Sequence, residues 1–305
     1  MVKSIKLAAL AFLAIASVSL VACSDDNNDG PDPTPDPVVK HQDPNPKSVY
    51  PLGVPKSIGL DRIITDSNGW VTSITSNYLT MIFDYTGSTF PTETTKSNYS
   101  DSYPRPKTYD ATMAMEWDDM FDATYYMKLN EQGYVEYAYE EYLSKTGSEV
   151  AVSEWWFKYN DAGQVAEIRW IDSYKNEYYY TLTYNSDGDV TTIYRPGSHE
   201  TTLLYVDVKN PKPIDNKSGI IFVLNCYDID KDFGSLNYIA MAGLMGKGTA
   251  HLPTSTTTYS EYFKKHSWYT HVWTLDASNI PTSYARWMSY EDKGDFYGGE
   301  LSIVW

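Results

Sequence analysis

"EWWFKYNDAGQVAEI", residues 154–168, decides how the rest of the chain is read. It sets aromatics at alternate positions (Trp155, Phe157, Tyr159), follows them with Asn-Asp-Ala-Gly, and resumes with Val165 and Ile168. Period-2 alternation is the pattern of a strand, whose successive side chains point to opposite faces. Asn or Asp opens a tight turn through its side chain, and Gly accepts the left-handed backbone that closes the turn with a bulge. The stretch therefore predicts a hairpin, with Asn160 and Gly163 setting the turn and Trp155 and Phe157 facing a core.

The same pattern recurs. "DSNGWVTSI" (66–74), "NEQGYVEYA" (130–138) and "NSDGDVTTI" (185–193) align with "NDAGQVAEI" (160–168), so that Gly69, Gly133, Gly163 and Gly188 share one position. A fifth copy, "DASNIPTSY" (276–284), carries Asn279 there, the next-best residue for a left-handed conformation. Most of the 28 Tyr and 9 Trp fall beyond residue 50, in runs such as "YYYTLTY" (178–184) with high strand preference. Repeated hairpins predict an all-β domain over residues 50–305, an antiparallel meander closing like a barrel to remove its edges. At most one short helix is expected, in "SLNYIAMAGLMG" (235–246). Residues 91–108 and 210–219 read as long polar loops.

Ahead of the domain, Lys3 and Lys6 precede an uncharged apolar run over residues 7–21, the layout of an export signal and too short for a mature membrane span. Residues 1–22 are read as a cleaved leader. "LVAC" (20–23) resembles the lipobox of bacterial lipoproteins, which makes Cys23 the lipid attachment site. "SDDNNDG" (24–30) is similar to the acidic sequence that sends Bacteroidetes lipoproteins to the outer face of the outer membrane. Residues 23–49, rich in Asp, Asn and Pro, read as a disordered tether. Acylation would leave Cys226 without an intrachain partner, so no disulfide is expected. The chain has 24 Lys+Arg against 40 Asp+Glu, a net charge of −16, which argues against nucleic acid or bare anionic lipid as partners.

The Asn-x-x-Gly-x-Val hairpins, the "AGLMGKGTAHLP" segment (242–253) and the leader together resemble a family of Bacteroidetes lipoproteins of unknown function whose fold is described as porin-like. The resemblance covers about residues 58–305. It implies an antiparallel, barrel-like fold and supplies no catalytic residues. The chain's last strand, "ELSIVW" (300–305), is similar to the terminal strand of integral outer-membrane barrels. Spanning strands need a continuous apolar outer band, whereas "EWWFKY" and "YYYTLTY" mix Tyr and Thr with charges. A lipid anchor rather than insertion is expected.

Candidate chemistry is sparse. Asp228, Asp230 and Asp232 alternate as in a calcium loop, but Phe233 and Ile239 stand where an EF-hand has Gly and Glu. No metal site is expected. "EWDD" (116–119) and "YEEY" (139–142) offer carboxylates beside aromatics, the raw material of glycoside hydrolysis, in a chain acidic enough to place them there by chance. The five histidines show no ligand spacing, and neither a serine elbow nor a phosphate-binding glycine loop is present. No catalytic residue and no cofactor are expected. Trp156 and Tyr179, on the strand face opposite the core, are the candidate exposed aromatic platform; rings that merely cover a long sheet are the competing reading. The expectation is a lipid-anchored, outward-facing outer-membrane protein with a non-enzymatic binding or structural role, held to the membrane through Cys23 and engaging a glycan or an envelope protein. The alternatives are a glycan-binding accessory lipoprotein of a saccharide-uptake system, a glycoside hydrolase and an integral barrel.

Overall fold

The computed structural model describes residues 41–77, 79–90, 106–117, 121–144, 150–220, 236–291 and 294–305. The leader, Cys23, most of the tether, Cys226 and the 228–234 aspartates lie outside the described residues. In chain order the strands are β1 (Ser57–Ile58), β2 (Asp61–Thr65), β3 (Val71–Thr75), β4 (Leu79–Asp84), β5 (Ser88–Thr89), β6 (Thr108–Tyr109), β7 (Ala111–Trp117), β8 (Phe121–Leu129), β9 (Val135–Ser144) and β10 (Val150–Tyr159). They continue with β11 (Val165–Ile171), β12 (Glu177–Tyr184), β13 (Val190–Arg195), β14 (His199–Leu204), β15 (Ile214–Asp215), β16 (His251–Leu252), β17 (Ser255–Ser260), β18 (Lys265–Leu275), β19 (Pro281–Tyr290) and β20 (Gly294–Val304). Among the described residues two short helices join them, α1 (Pro46–Val49) and α2 (Leu236–Met241). All strands but β5, β6, β15 and β16 follow one another in a single antiparallel sheet, and β1 closes on β20, giving a 16-strand barrel; β5 pairs with β6 and β15 with β16 in two separate antiparallel pairs. The meander and its closure are as the hairpin repeats predict.

Each motif turn has the expected local cause. The Oδ1 atoms of Asp66, Asn130, Asn160, Asn185 and Asp276 each accept two backbone N–H groups, from the residues two and four positions on. Gly69, Gly133, Gly163 and Gly188 all have φ between 81° and 91°, and Asn279 has φ 61°. Beside every one of these turns the strand register slips, as between Lys158 and Tyr159. A sixth turn of this build, which the repeat did not reveal, spans residues 172–176: Asp172 Oδ1 accepts from Tyr174 and Asn176, and Lys175 takes the left-handed position at φ 68°.

Hairpins of an up-and-down barrel alternate between its ends. The five motif turns join β2 to β3, β8 to β9, β10 to β11, β12 to β13 and β18 to β19, which puts all of them at one end. The connections from β4 to β7 and from β14 to β17, the entry of the chain into β1 and its exit from β20 share that end. Sixteen strands enclose more space than the wall's own side chains can fill. The chain fills it from the motif end: Val49, Tyr50, Leu236, Ile239, Leu244 and Met245 are all buried in the same core as the lumen-facing Ile74, Met113, Phe157 and Ile193.

This plug hangs on the turns. Val135 N–H donates to the Leu244 carbonyl at 2.8 Å, Lys247 N–H to that of Gly163 at 2.8 Å, and Ala250 N–H to that of Gly188 at 3.4 Å. The Gln164 amide donates to both Gly188 and Gly248 carbonyls, at 2.8 and 2.9 Å. From the other side, Tyr50 OH donates to the Ala240 carbonyl at 3.0 Å.

Two expectations are corrected here. The stretch 41–49, read as the end of the tether, is folded: Gln42 N–H donates to Asp110, and Ser48 Oγ lies 2.8 Å from Tyr134 OH. Its Pro46 starts α1, a position where the missing N–H costs nothing. The folded domain thus begins before Tyr50, and the described residues hold two short helices rather than at most one. At the C-terminus, Ile303 pairs with Ile58 inside the closing seam, and the Trp305 indole donates to the Pro281 carbonyl at 2.7 Å. The terminal aromatic thus packs within the protein.

Candidate functional site

The core face is as predicted: Trp155 and Phe157 point into the lumen, where Trp155 stacks on Trp170 with centroids 4.7 Å apart. Trp156 points outward, also as predicted, yet only 4% of it is exposed. It pairs with Tyr137 on β9 and Arg169 on β11, the Tyr137 ring meeting it edge-on and the Arg169 guanidinium lying 4.5 Å above it. Phe90, just after β5, then packs edge-on against Tyr109, Tyr126, Tyr137 and Tyr139 and covers the cluster. Trp156 is therefore not an exposed platform: alternation selects the outer face, but a strap from far earlier in the chain lies across it. Tyr179, opposite Arg169 on β12, is 41% exposed. Its hydroxyl donates to Glu177, which also accepts from Arg169. Partial burial opposes charge on Glu177, but these bonds outweigh it and hold the carboxyl below its usual range.

The carboxylates do not converge. Glu140 faces the lumen, where it accepts the Tyr125 hydroxyl at 2.5 Å; burial pushes its pKa up, against hydrogen bonds from Tyr125 and Ser153. Glu141, one residue along, faces outside, and Glu116 is exposed on the outer wall. Asp118 and Asp119 lie outside the described residues. His251 sits between two acids, with Nδ1 2.6 Å from Asp189 and Nε2 3.8 Å from Asp215; because its backbone N–H also binds Asp189, the contact ties β16 to a motif turn. Among the described residues no three His, Cys, Asp or Glu are arranged to hold a metal. A cavity of about 30 Å³ beside Tyr50, Trp273, Tyr284 and Leu301 has room for a water or two, far below the size of a ligand pocket.

The sequence reading missed Trp268 and Trp287. They are 40% and 47% exposed on the outer wall of β18 and β19. Trp268 pairs with Ser289 and Trp287 with Thr270, which makes the two indoles diagonal neighbours, about 7–8 Å apart at the strand level. His266 stacks on Trp268 at 5.9 Å with planes 20° apart, and Tyr259 lies 4.9 Å beyond. The signal was available. In "KHSWYTHVWTL" Trp268 alternates with His266 and Thr270, and the facing strand "STTTYS" offers only hydroxyl-bearing residues. A tryptophan whose strand and cross-strand neighbours are hydroxylated has little to bury it.

No family model matches the chain, and no curated protein matches it. Among solved structures it is similar to a porin-like protein from Bacteroides uniformis, with a TM-score of 0.52 and 16% identity over 80% of this chain and 89% of that one. A porin-like protein from Bacteroides vulgatus aligns over 82% of this chain and 97% of its own, at 8% identity and a TM-score of 0.38. At 16% identity the likeness to the Bacteroides uniformis protein is one of architecture, and it agrees with the barrel described above: the fold of this chain is porin-like.

Proposed function

We propose that the chain is a lipid-anchored, outward-facing surface protein that presents a rigid barrel for non-enzymatic binding or a structural role. The observation that carries this reading is the character of the outer wall. Lys128, Glu141, Glu154, Lys158, Glu167 and Arg169 lie on the outer face of β8–β11; Glu154 and Arg169 are covered by other parts of the protein, but the Lys158 and Glu167 side chains are 45% and 43% exposed there, and Glu300, on the outer face well inside β20, is exposed too. A charge on a lipid-facing wall costs about 2–4 kcal/mol at the bilayer midplane. Such a wall supports a barrel standing in water and held by acyl chains on Cys23, two or more of which give stable attachment. Glu140 and Glu141 on opposite faces of one strand support a role without glycoside hydrolysis, which needs two converging carboxylates.

Radiolabelled palmitate and cell fractionation test the anchor: Cys23→Ala should lose both label and membrane retention. Retention of the unlabelled variant in carbonate-washed membranes would overturn the reading in favour of insertion. Protease added to intact cells should digest the barrel; full protection would reverse its orientation.

A further inference from the structure

The outward residues of β17–β19 form a surface unlike the rest of the wall. They are Ser255, Thr257 and Tyr259 on β17, His266, Trp268, Thr270, Val272 and Thr274 on β18, and Ser283, Ala285, Trp287 and Ser289 on β19, identified by pairing and by their alternation with the buried Thr256, Thr258, Tyr269 and His271. None carries a carboxylate, an ammonium or a guanidinium. On a chain of net charge −16 this is a neutral field, bordered by Glu200 on β14 and Glu300 on β20.

Within it, hydroxyls and rings follow one another across the strands. One row runs Thr202, Thr257, Trp268, Ser289, and the register extends it through Thr192 to Thr183 on β12. The adjacent row runs Ser255, Thr270, Trp287.

We infer that this face binds a neutral polysaccharide lying across the strands, with Trp268 and Trp287 as its two stacking positions. Indole rings offer flat apolar faces to the C–H face of a sugar, and the flanking Thr and Ser hydroxyls can both donate and accept toward sugar hydroxyls. Other occupants fit less well. An acidic polymer would meet no lysine or arginine among these outward residues and a repulsive field around them. A protein partner or an acyl surface calls for a broad contiguous apolar area, whereas here the only aliphatic groups beside the two indoles are Val272 and Ala285, and Thr257, Thr270, Thr274, Ser283 and Ser289 interrupt them. The inference rests on the reading of the wall as water-facing; it adds the ligand class and the residues.

The test is affinity electrophoresis of the full-length protein in detergent through gels containing laminarin, glucomannan, xylan or starch, with pectin and hyaluronate as acidic counterparts. Retardation by at least one neutral polymer is expected. Trp268→Ala and Trp287→Ala should each weaken it at least 10-fold, Trp268→Phe should restore most of it, and Trp156→Phe, inside the covered cluster, should leave it unchanged. Unaltered circular dichroism and unfolding midpoints would show that the alanine variants fold. The inference is overturned by retardation only in the acidic gels, by none in any gel, or by retardation that survives both alanine substitutions. Fractionation of Cys23→Ala is independent of all three outcomes, so loss of the glycan site and loss of the anchored-scaffold reading are separately visible.

Discussion

His271 shows at the residue scale how the lumen treats a polar group. It is 4% exposed, its Nδ1 lies 2.9 Å from Tyr284 OH and its Nε2 3.3 Å from Thr256 Oγ1, and Arg286 is its partner across the strand pair. Burial, with the Arg286 charge adding to it, pushes the imidazole down to about 3. The native ring thus stays neutral, while in the unfolded chain it titrates near its ordinary value of about 6.5. Below that pH the unfolded state takes up a proton that the fold refuses, so this residue's contribution is full above about 6.5 and is lost as pH falls toward 3. The slope approaches ~1.4 kcal/mol per pH unit within the window. His271→Asn, which cannot titrate, should therefore show a shallower fall in urea midpoint than the wild type between pH 6.5 and 4; parallel profiles would remove the effect. Glu140, whose pKa is raised by burial, acts with the opposite sign, which is why the comparison with the variant matters rather than the raw profile.

Turns are the elements most fully legible in the sequence, because everything they need lies within five residues: an Asx oxygen, two N–H groups and one left-handed position. Gly133 adds a demand no local reading could supply. A Cβ there would sit 2.7 Å from the backbone of both Asp43 and Asn45, so the turn must be bare for residues 43–45 to cross it. Gly133→Ala should accordingly lose roughly 2 kcal/mol or more, from left-handed strain together with that clash. Lys175→Gly, in the sixth turn, should gain about 0.5–1 kcal/mol by relieving a left-handed lysine. Chemical denaturation of both variants checks the pair, and equal effects in either direction would contradict it. The helix over 236–241 was also legible. Its place inside the barrel was not, since the bonds that hold the plug run from Leu244, Lys247 and Ala250 to turns far earlier in the chain. The covering of Trp156 by Phe90 was hidden for the same reason. Alternation fixes a side chain's face, and burial on that face depends on what another segment brings to it.

For the whole molecule, closure follows from hairpins that leave no partner for the outermost strands except each other. The number of strands does not follow from the repeat, because β1, with two residues, and β7, without a motif turn, leave no periodic trace. The number matters for function. A porin of 16 to 18 strands keeps an aqueous channel, and this barrel has the strand count but not the lumen. Tyr50 and Leu244 are buried beneath the motif turns, and the backbone between them and the wall is hydrogen bonded on both sides. Opening a path for ions would break those bonds and expose apolar groups worth about 1.5–3 kcal/mol each. Full-length protein added to planar lipid bilayers should therefore give no unitary conductance steps at up to 100 mV, a voltage that supplies only about 2.3 kcal/mol per charge moved. Discrete openings of reproducible size would contradict the plugged lumen, and with it the separation between a porin-like wall and a porin's activity.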